Sequence, residues 1–262
     1  MTSQARTAPG ATTPDDGQRA WRAVLDAATL PYREAGRYAW RFARGKLGGD
    51  PVFRHVLQQG LIAPHAHVLD IGCGQGLLAS LLRAAGQAAR HGRWPADWAP
   101  APLGARVTGI ELMPHDVERA RTALGSSARF ICGDMRALDF PPADTIVLFD
   151  ALHYIPPDDQ EGVLARVRQA LSGGGSLLLR VNDAGARRRF ALGLWIDRVT
   201  MLLRGGGFAP LAGRSVEAWS ATLTRLGFDV HAYPMSGRPP FANQLLVARV
   251  QPVPALAPET GR

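Results

Sequence analysis

Val68-Leu69-Asp70-Ile71-Gly72-Cys73-Gly74-Gln75-Gly76, followed by Leu77-Leu78-Ala79-Ser80-Leu81-Leu82, is the stretch whose reading decides the fold. The first part is a short apolar run broken by one acid and predicts a buried parallel strand. The last part predicts a helix with an apolar face. Between them stand three glycines at alternate positions. Glycine tolerates positive φ, and with no Cβ it lets another molecule touch the backbone. A strand, a glycine-rich turn and a helix make a ligand cradle at the carboxyl end of a parallel strand. The spacing is G-x-G-x-G, not the G-x-G-x-x-G of dinucleotide sites. Asp70, two residues before the first glycine, repels a pyrophosphate but suits a ligand carrying positive charge.

This stretch resembles the first motif of class I S-adenosylmethionine-dependent methyltransferases, whose cofactor carries an ammonium and a sulfonium. The resemblance implies that Asp70, Gly72, Cys73 and Gly74 line the cofactor.

The rest of the composition is compatible. The chain has 262 residues, enough for one substantial α/β domain with appendages. Its formal net charge is +8, almost all from arginine, since Lys46 is the sole lysine. Two readings of that charge stay open: an anionic surface, substrate or membrane as partner, or a composition rich in arginine throughout. Cys73 and Cys132 give no disulfide framework, which fits a reducing, cytoplasmic compartment. Residues 1–17 hold no apolar run of the kind a signal peptide needs. No apolar stretch reaches the roughly 18 residues of a membrane span. No metal site is expected.

Read in order, residues 1–18 predict a disordered tail and residues 19–60 a helical cap of three helices. Residues 61–250 predict the catalytic domain. A polar, proline-rich insertion at 86–105 and a lid-like one at 185–213 interrupt it. Residues 251–262 form a second tail. Strands at 106–111, 128–132, 145–150 and 176–181 alternate with helices at 76–85, 114–124 and 158–171. That alternation predicts a doubly wound parallel sheet. The run 172–175 reads as a helix C-cap. Segments 228–235 and 244–250 leave no room for a crossover helix and pair antiparallel. Seven strands with an antiparallel last hairpin match the Rossmann-like class I methyltransferase sheet, an order the resemblance implies.

The chemistry gathers at strand ends. A ribose needs a carboxylate at the tip of the second strand, and Glu111 stands there. Leu112 can press on the adenine face. By the family resemblance Asp134 takes the adenine amino group and Met135 supplies a backbone N–H and an apolar contact. Asp150 lies beside the methionine moiety. His153 is the candidate general base, because an imidazole near neutrality can take a hydroxyl proton. The segment 149–156 departs from the Asn/Asp-Pro-Pro-aromatic motif of enzymes that methylate base amines, which lowers a nucleic-acid reading. Methyl transfer is an in-line displacement that asks mainly for positioning. The acceptor contacts are therefore expected from the appendages: Tyr32, Tyr38, Trp40 and Arg41 of the cap, and Trp195 of a basic amphipathic segment at 187–204.

The flanks resemble something narrower. Residues 32–47, Gly109-Ile110-Glu111-Leu112-Met113, Leu152-His153-Tyr154, Pro234-Met235-Ser236-Gly237 and Pro240-Phe241-Ala242-Asn243 are similar to methyltransferases of bacterial aryl polyene pigment clusters. That resemblance implies a small-molecule or carrier- or lipid-linked aryl acceptor, methylated on the ring or its hydroxyl. It also implies an acyl carrier protein or the inner-membrane surface as partner. The competing readings are an RNA or protein methyltransferase that uses the arginines, and a methyltransferase-fold protein that binds without turnover.

Overall fold

The computed structural model describes residues 14–182, 214–235 and 243–251. Seven strands form one sheet: β1 (His67–Ile71), β2 (Arg106–Glu111), β3 (Arg129–Cys132), β4 (Ala143–Phe149), β5 (Leu171–Asn182), β6 (Phe228–Pro234) and β7 (Asn243–Val250). Their order is β3-β2-β1-β4-β5-β7-β6. β1 to β5 pair in parallel, and β7 runs antiparallel to both its neighbours. This is the expected Rossmann-like sheet. Strand order reverses at β1, which lies between β2 and β4. In such a sheet the ligand crevice opens at that switch point, beyond the carboxyl ends of the strands.

Burial explains the apolar runs. Val68, Val147, Leu178 and Val247 face one core, built with α1 (Pro14–Thr29), α2 (Arg37–Gly49), α3 (Pro51–Gln58), α4 (Leu77–Arg90) and α5 (Pro114–Leu124). Leu69, Ile71, Ile146, Leu148, Leu177 and Leu179 face the other, under α6 (Pro157–Ala170) and α7 (Val216–Arg225). Because successive strand residues point to opposite faces, a sheet covered on both sides needs apolar side chains at both phases. The N-terminal helices join the first core directly: Ser80 Oγ on α4 donates to the Ala28 carbonyl of α1 at 2.6 Å. Among the described residues no helix is long and apolar enough to cross a membrane.

Four boundaries differ from the sequence reading. Helix α1 begins at Pro14, inside the segment expected to be a disordered tail. Helix α4 runs on to Arg90, so the insertion starts at His91 rather than residue 86. Residues 172–175 lie within β5 and not in a C-cap, because Leu171 already pairs with Ala143 and a register shift follows. Tyr32 sits in a short 3-10 turn (Leu30–Arg33), and Gly36 at φ 107° separates it from α2. The insertion is a packed plug. Trp94 and Trp98 meet edge to face at 5.3 Å, and the Ala99 N–H bonds the Gln58 carbonyl at the far end of α3. A connection entering β2 lies at the amino edge of the sheet, away from the ligand crevice. The segments 185–213 and 187–204 fall outside the described residues, apart from Arg180 to Asn182 that precede them in β5.

Candidate functional site

The turn after β1 is built from backbone. Gly72, Gly74 and Gly76 all have positive φ (76°, 54° and 77°). Their reasons differ. A Cβ on Gly72 would stand 2.6 Å from the Ala151 Cβ, and one on Gly76 would stand 2.7 Å from the Phe130 ring. These two permit close packing. A Cβ on Gly74 would meet nothing within 4 Å, so this glycine faces open space where a ligand can rest on the chain. Gly109 in β2 serves the same turn, since a Cβ there would strike Cys73 Sγ at 2.7 Å and Phe130 at 2.8 Å. Buried Tyr32 supports the turn from below: its hydroxyl donates to the Gln75 carbonyl at 2.9 Å, and Gln75 donates to the Ala39 carbonyl at 2.8 Å.

Glu111 closes the turn from β2. Its Oε2 accepts the Gly74 N–H at 2.8 Å and its Oε1 accepts the Met113 N–H at 2.9 Å. Each oxygen is thereby oriented, and about two of the carboxylate's four lone-pair sites stay available for a diol. Asp70 is buried beneath it. Burial, helped by the Glu111 charge, pushes its carboxyl up to about 7. A cationic ligand group arriving there would restore the ionised form. Leu112 is 57% exposed beside Glu111, an uncovered apolar side chain at the rim.

Asp70, Glu111 and Asp134 do stand at the ends of the adjacent strands β1, β2 and β3, as the sequence suggested. They are not equivalent. Arg136 grips Asp134 in a fork, Nε to Oδ2 at 2.9 Å and Nη2 to Oδ2 at 2.6 Å, and these bonds hold the carboxyl below its usual range. The Met135 carbonyl is pinned by Arg166 of α6 at 2.6 Å. The sequence reading missed both arginines.

At the end of β4, Asp150 has φ 56°, in the left-handed region although it is not a glycine. Buried Arg180 of β5 holds it, with Nε to Oδ1 at 2.7 Å and Nη2 to Oδ2. Lys46 reaches the same carboxylate at 3.2 Å. Against its burial, these two cations hold the Asp150 carboxyl well below the usual range. His153 follows in a 3-10 turn (Leu152–Tyr154), its ring 4.1 Å from that of Tyr154. Burial lowers its pKa, and Arg180 and Lys46 add to that while Asp150 opposes it. The imidazole is therefore neutral near pH 7 and can accept a proton.

The expected acceptor contacts fare differently. Tyr32 is fully buried and bonds backbone, so it shapes the cofactor turn instead of touching an acceptor. Tyr38 is exposed, stacked on Phe42 and covered by the Arg119 guanidinium at 4.8 Å. Trp40 is half-buried under Arg33 at 5.1 Å, and Arg41 is exposed. Trp195 lies outside the described residues. The sequence did carry a signal for the missed Arg180: a charge inside the apolar run Leu177-Leu178-Leu179-Arg180-Val181.

Comparison with known proteins bears on the fold and the cofactor. Residues 68–175 match the family model of a methyltransferase domain. The chain is 36% identical over 130 residues to the carboxy-S-adenosyl-L-methionine synthase of Chromohalobacter salexigens, a match covering 46% of this chain and 43% of that protein. The chain spans about half the length of the curated relatives it matches. Among solved structures, the Haloferax volcanii assembly of a Trm112 methyltransferase activator and a methyltransferase aligns with TM-score 0.59 at 17% identity, over 79% of this chain and 93% of that one. An O-methyltransferase family protein from Burkholderia thailandensis aligns with TM-score 0.55 at 18% identity, over 90% of this chain and 68% of that one. The fold is that of class I methyltransferases, and the donor set around Gly74 and Glu111 fits S-adenosylmethionine.

Proposed function

We propose that the chain is an S-adenosylmethionine-dependent methyltransferase acting on a small or lipid-like acceptor at oxygen or carbon. One observation carries this reading: Glu111 is locked by the Gly74 and Met113 N–H groups with lone pairs left over, beside a glycine that opens onto free space. Glu111 would hold the ribose hydroxyls, the backbone at Gly74 the methionine portion, and Asp70 the cationic end. Leu112 would cover the adenine and Asp134 with Met135 its edge. When bound, S-adenosylmethionine supplies a methyl group on a sulfonium, an activated leaving group. What remains for the protein is to hold the acceptor in line and exclude water. His153, neutral and at the β4 end, would take the proton of an acceptor hydroxyl.

A carrier- or lipid-linked aryl acceptor belongs to this reading, with an acyl carrier protein or an anionic membrane surface as partner. The net charge of +8 supports it. So do exposed Arg41 and Tyr38 on the cap.

Calorimetry with S-adenosylhomocysteine tests the cofactor assignment. Glu111→Gln should weaken binding by about 10- to 100-fold, the worth of a hydrogen bond to a charged group. Unchanged affinity would remove Glu111 from the site. His153→Ala should keep that affinity and lose most of kcat once an acceptor is found among aryl-lipid extracts given labelled cofactor. Label entering RNA or protein instead would overturn the acceptor class.

A second reading rests on the relative's name. If this chain instead attaches to S-adenosylmethionine a carboxyl group delivered by a carboxylate-bearing co-substrate, the cofactor is itself the substrate. Mass spectrometry of the cofactor after incubation separates the two: S-adenosylhomocysteine for methyl transfer, a carboxylated cofactor for the alternative.

A further inference from the structure

Two carboxylates and two cations close into one network where α2, α3, β4 and β5 meet. Asp50 is the N-cap of α3, and its Oδ1 accepts the Val52 N–H at 3.2 Å. Its Oδ2 receives Arg180 Nη1 and, at 2.9 Å, Lys46 Nζ. Arg180 turns its other two nitrogens to Asp150, so the guanidinium bridges a helix cap and a strand end 100 residues apart in the chain. Its side chain is wholly shielded from water, with the Phe149 ring 5.6 Å from Cζ. Phe149 in turn meets Phe53 of α3 edge to face at 6.1 Å. Lys46 and Asp150 keep 36% and 30% of their side chains open to solvent, while Asp50 keeps 10%.

Stability does not account for such an arrangement. Desolvating a guanidinium and its carboxylate partners is costly, and apolar residues of similar volume are often as good or better. What the network does fix is conformation. The left-handed backbone at Asp150 is a conformation that non-glycine residues seldom adopt, and its surroundings help to hold it. A point charge could neutralise Asp150. Only the planar fork also fixes its direction while a third nitrogen is committed to the cap.

We propose that Arg180 is a positioning residue that ties the N-terminal helical cap to the turn at Asp150, so that the cap and the carboxyl end of β4 keep one geometry. The proposal rests on the methyltransferase reading only for the ligand used in one arm of its test.

Asp50→Asn is the decisive variant. Asparagine still caps a helix, so α3 is kept while the charge facing Arg180 is lost. Hydrogen exchange would follow the amides of Asp150, Tyr154 and Ile155, which bond the carbonyls of Arg180, Ala151 and Leu152. Their exchange should quicken by about tenfold, within the usual range of coupling between sites. The β1 amides should stay unchanged, and affinity for S-adenosylhomocysteine should fall severalfold. Arg180→Lys, which keeps charge without the fork, should show the same pattern. If Asp50→Asn loosens β1 as well, Lys46→Met at the solvent-facing corner decides, with the same local effect at smaller amplitude. Exchange at 150–155 within about twofold of wild type in Asp50→Asn and Lys46→Met overturns the coupling. If the unaltered protein binds no S-adenosylhomocysteine, the cofactor reading fails, and the exchange arm still judges the network.

Discussion

The two halves of the crevice solve opposite problems. On the β1–β2 side the geometry is set by backbone: glycines at positive φ, two N–H groups on Glu111, and an Asp70 with no cation against it among the described residues. On the β4–β5 side it is set by charge: Arg180 and Lys46 match Asp50 and Asp150. The first half therefore keeps acceptor capacity for a ligand. The second has its carboxylates matched by cations, which leaves Asp150 less acceptor capacity for a ligand than Glu111 has. An acid at a strand end is thus no guide to its role until its neighbours are known.

The largest test of this contrast is Arg180→Met. It leaves buried Asp50 and partly exposed Asp150 with Lys46 between them, and removing one partner of a buried ion pair costs about 3–5 kcal/mol, with the partial exposure of Asp150 placing the loss at the lower end. Denaturant unfolding of wild type and variant measures it. A loss under about 1 kcal/mol would mean that the network is wet and worth no more than a surface pair, and the contrast between halves would dissolve.

Asp70 offers the next test, and its sign is opposite to that of the ion pairs. Its folded pKa is raised to about 7 from 3.8. Below pH 4 both folded and unfolded states carry the proton and nothing is lost. As pH climbs from 4 to 7 the unfolded chain ionises while the folded one resists, so stability falls and then levels off. The amount is on the order of a few kcal/mol. Asp70→Asn should abolish that decline. Asp150 and Asp50 have lowered pKa values, so their contribution is present above pH 4 and is lost in stronger acid. A stability profile from pH 3 to 8 for wild type and Asp70→Asn separates the two windows. A variant with the wild-type slope between 4 and 7 would show that Asp70 is ionised already.

These halves also differ in how far the sequence revealed them. The glycine turn and Glu111 were legible because their signals are local: strand, turn and helix follow one another within fifteen residues, and Glu111 ends the next strand. The Arg180 network was not, because Lys46, Asp50, Asp150 and Arg180 become neighbours only when the sheet closes. Tyr32 shows the converse failure. An aromatic beside a basic helix looked like an acceptor contact, yet Gly36 breaks the helix there and turns the ring under the glycine turn. For Asp134, strand position was readable but its partner two residues on was not weighed. The packing inside the proline-rich insertion was not legible either, since Trp94 and Trp98 meet only once the segment folds back on α3.

The smallest effect sharpens what burial contributes. Arg44 and Asp26 form the same kind of pair as Arg180 and Asp150, at 2.5 Å, but their side chains are 47% and 59% exposed. Distance alone would rank this bridge with the buried ones. Water and salt argue otherwise: in high dielectric the attraction is weak, and two long exposed side chains lose rotamer freedom to hold it. Arg44→Gln should therefore shift the unfolding free energy by no more than about 0.5 kcal/mol, and by less as salt is raised toward 1 M. If Arg44→Gln proved as damaging as Arg180→Met, desolvation would not set the worth of these ion pairs. The division of the crevice into a ligand-facing half and a self-satisfied half would then lose its physical basis.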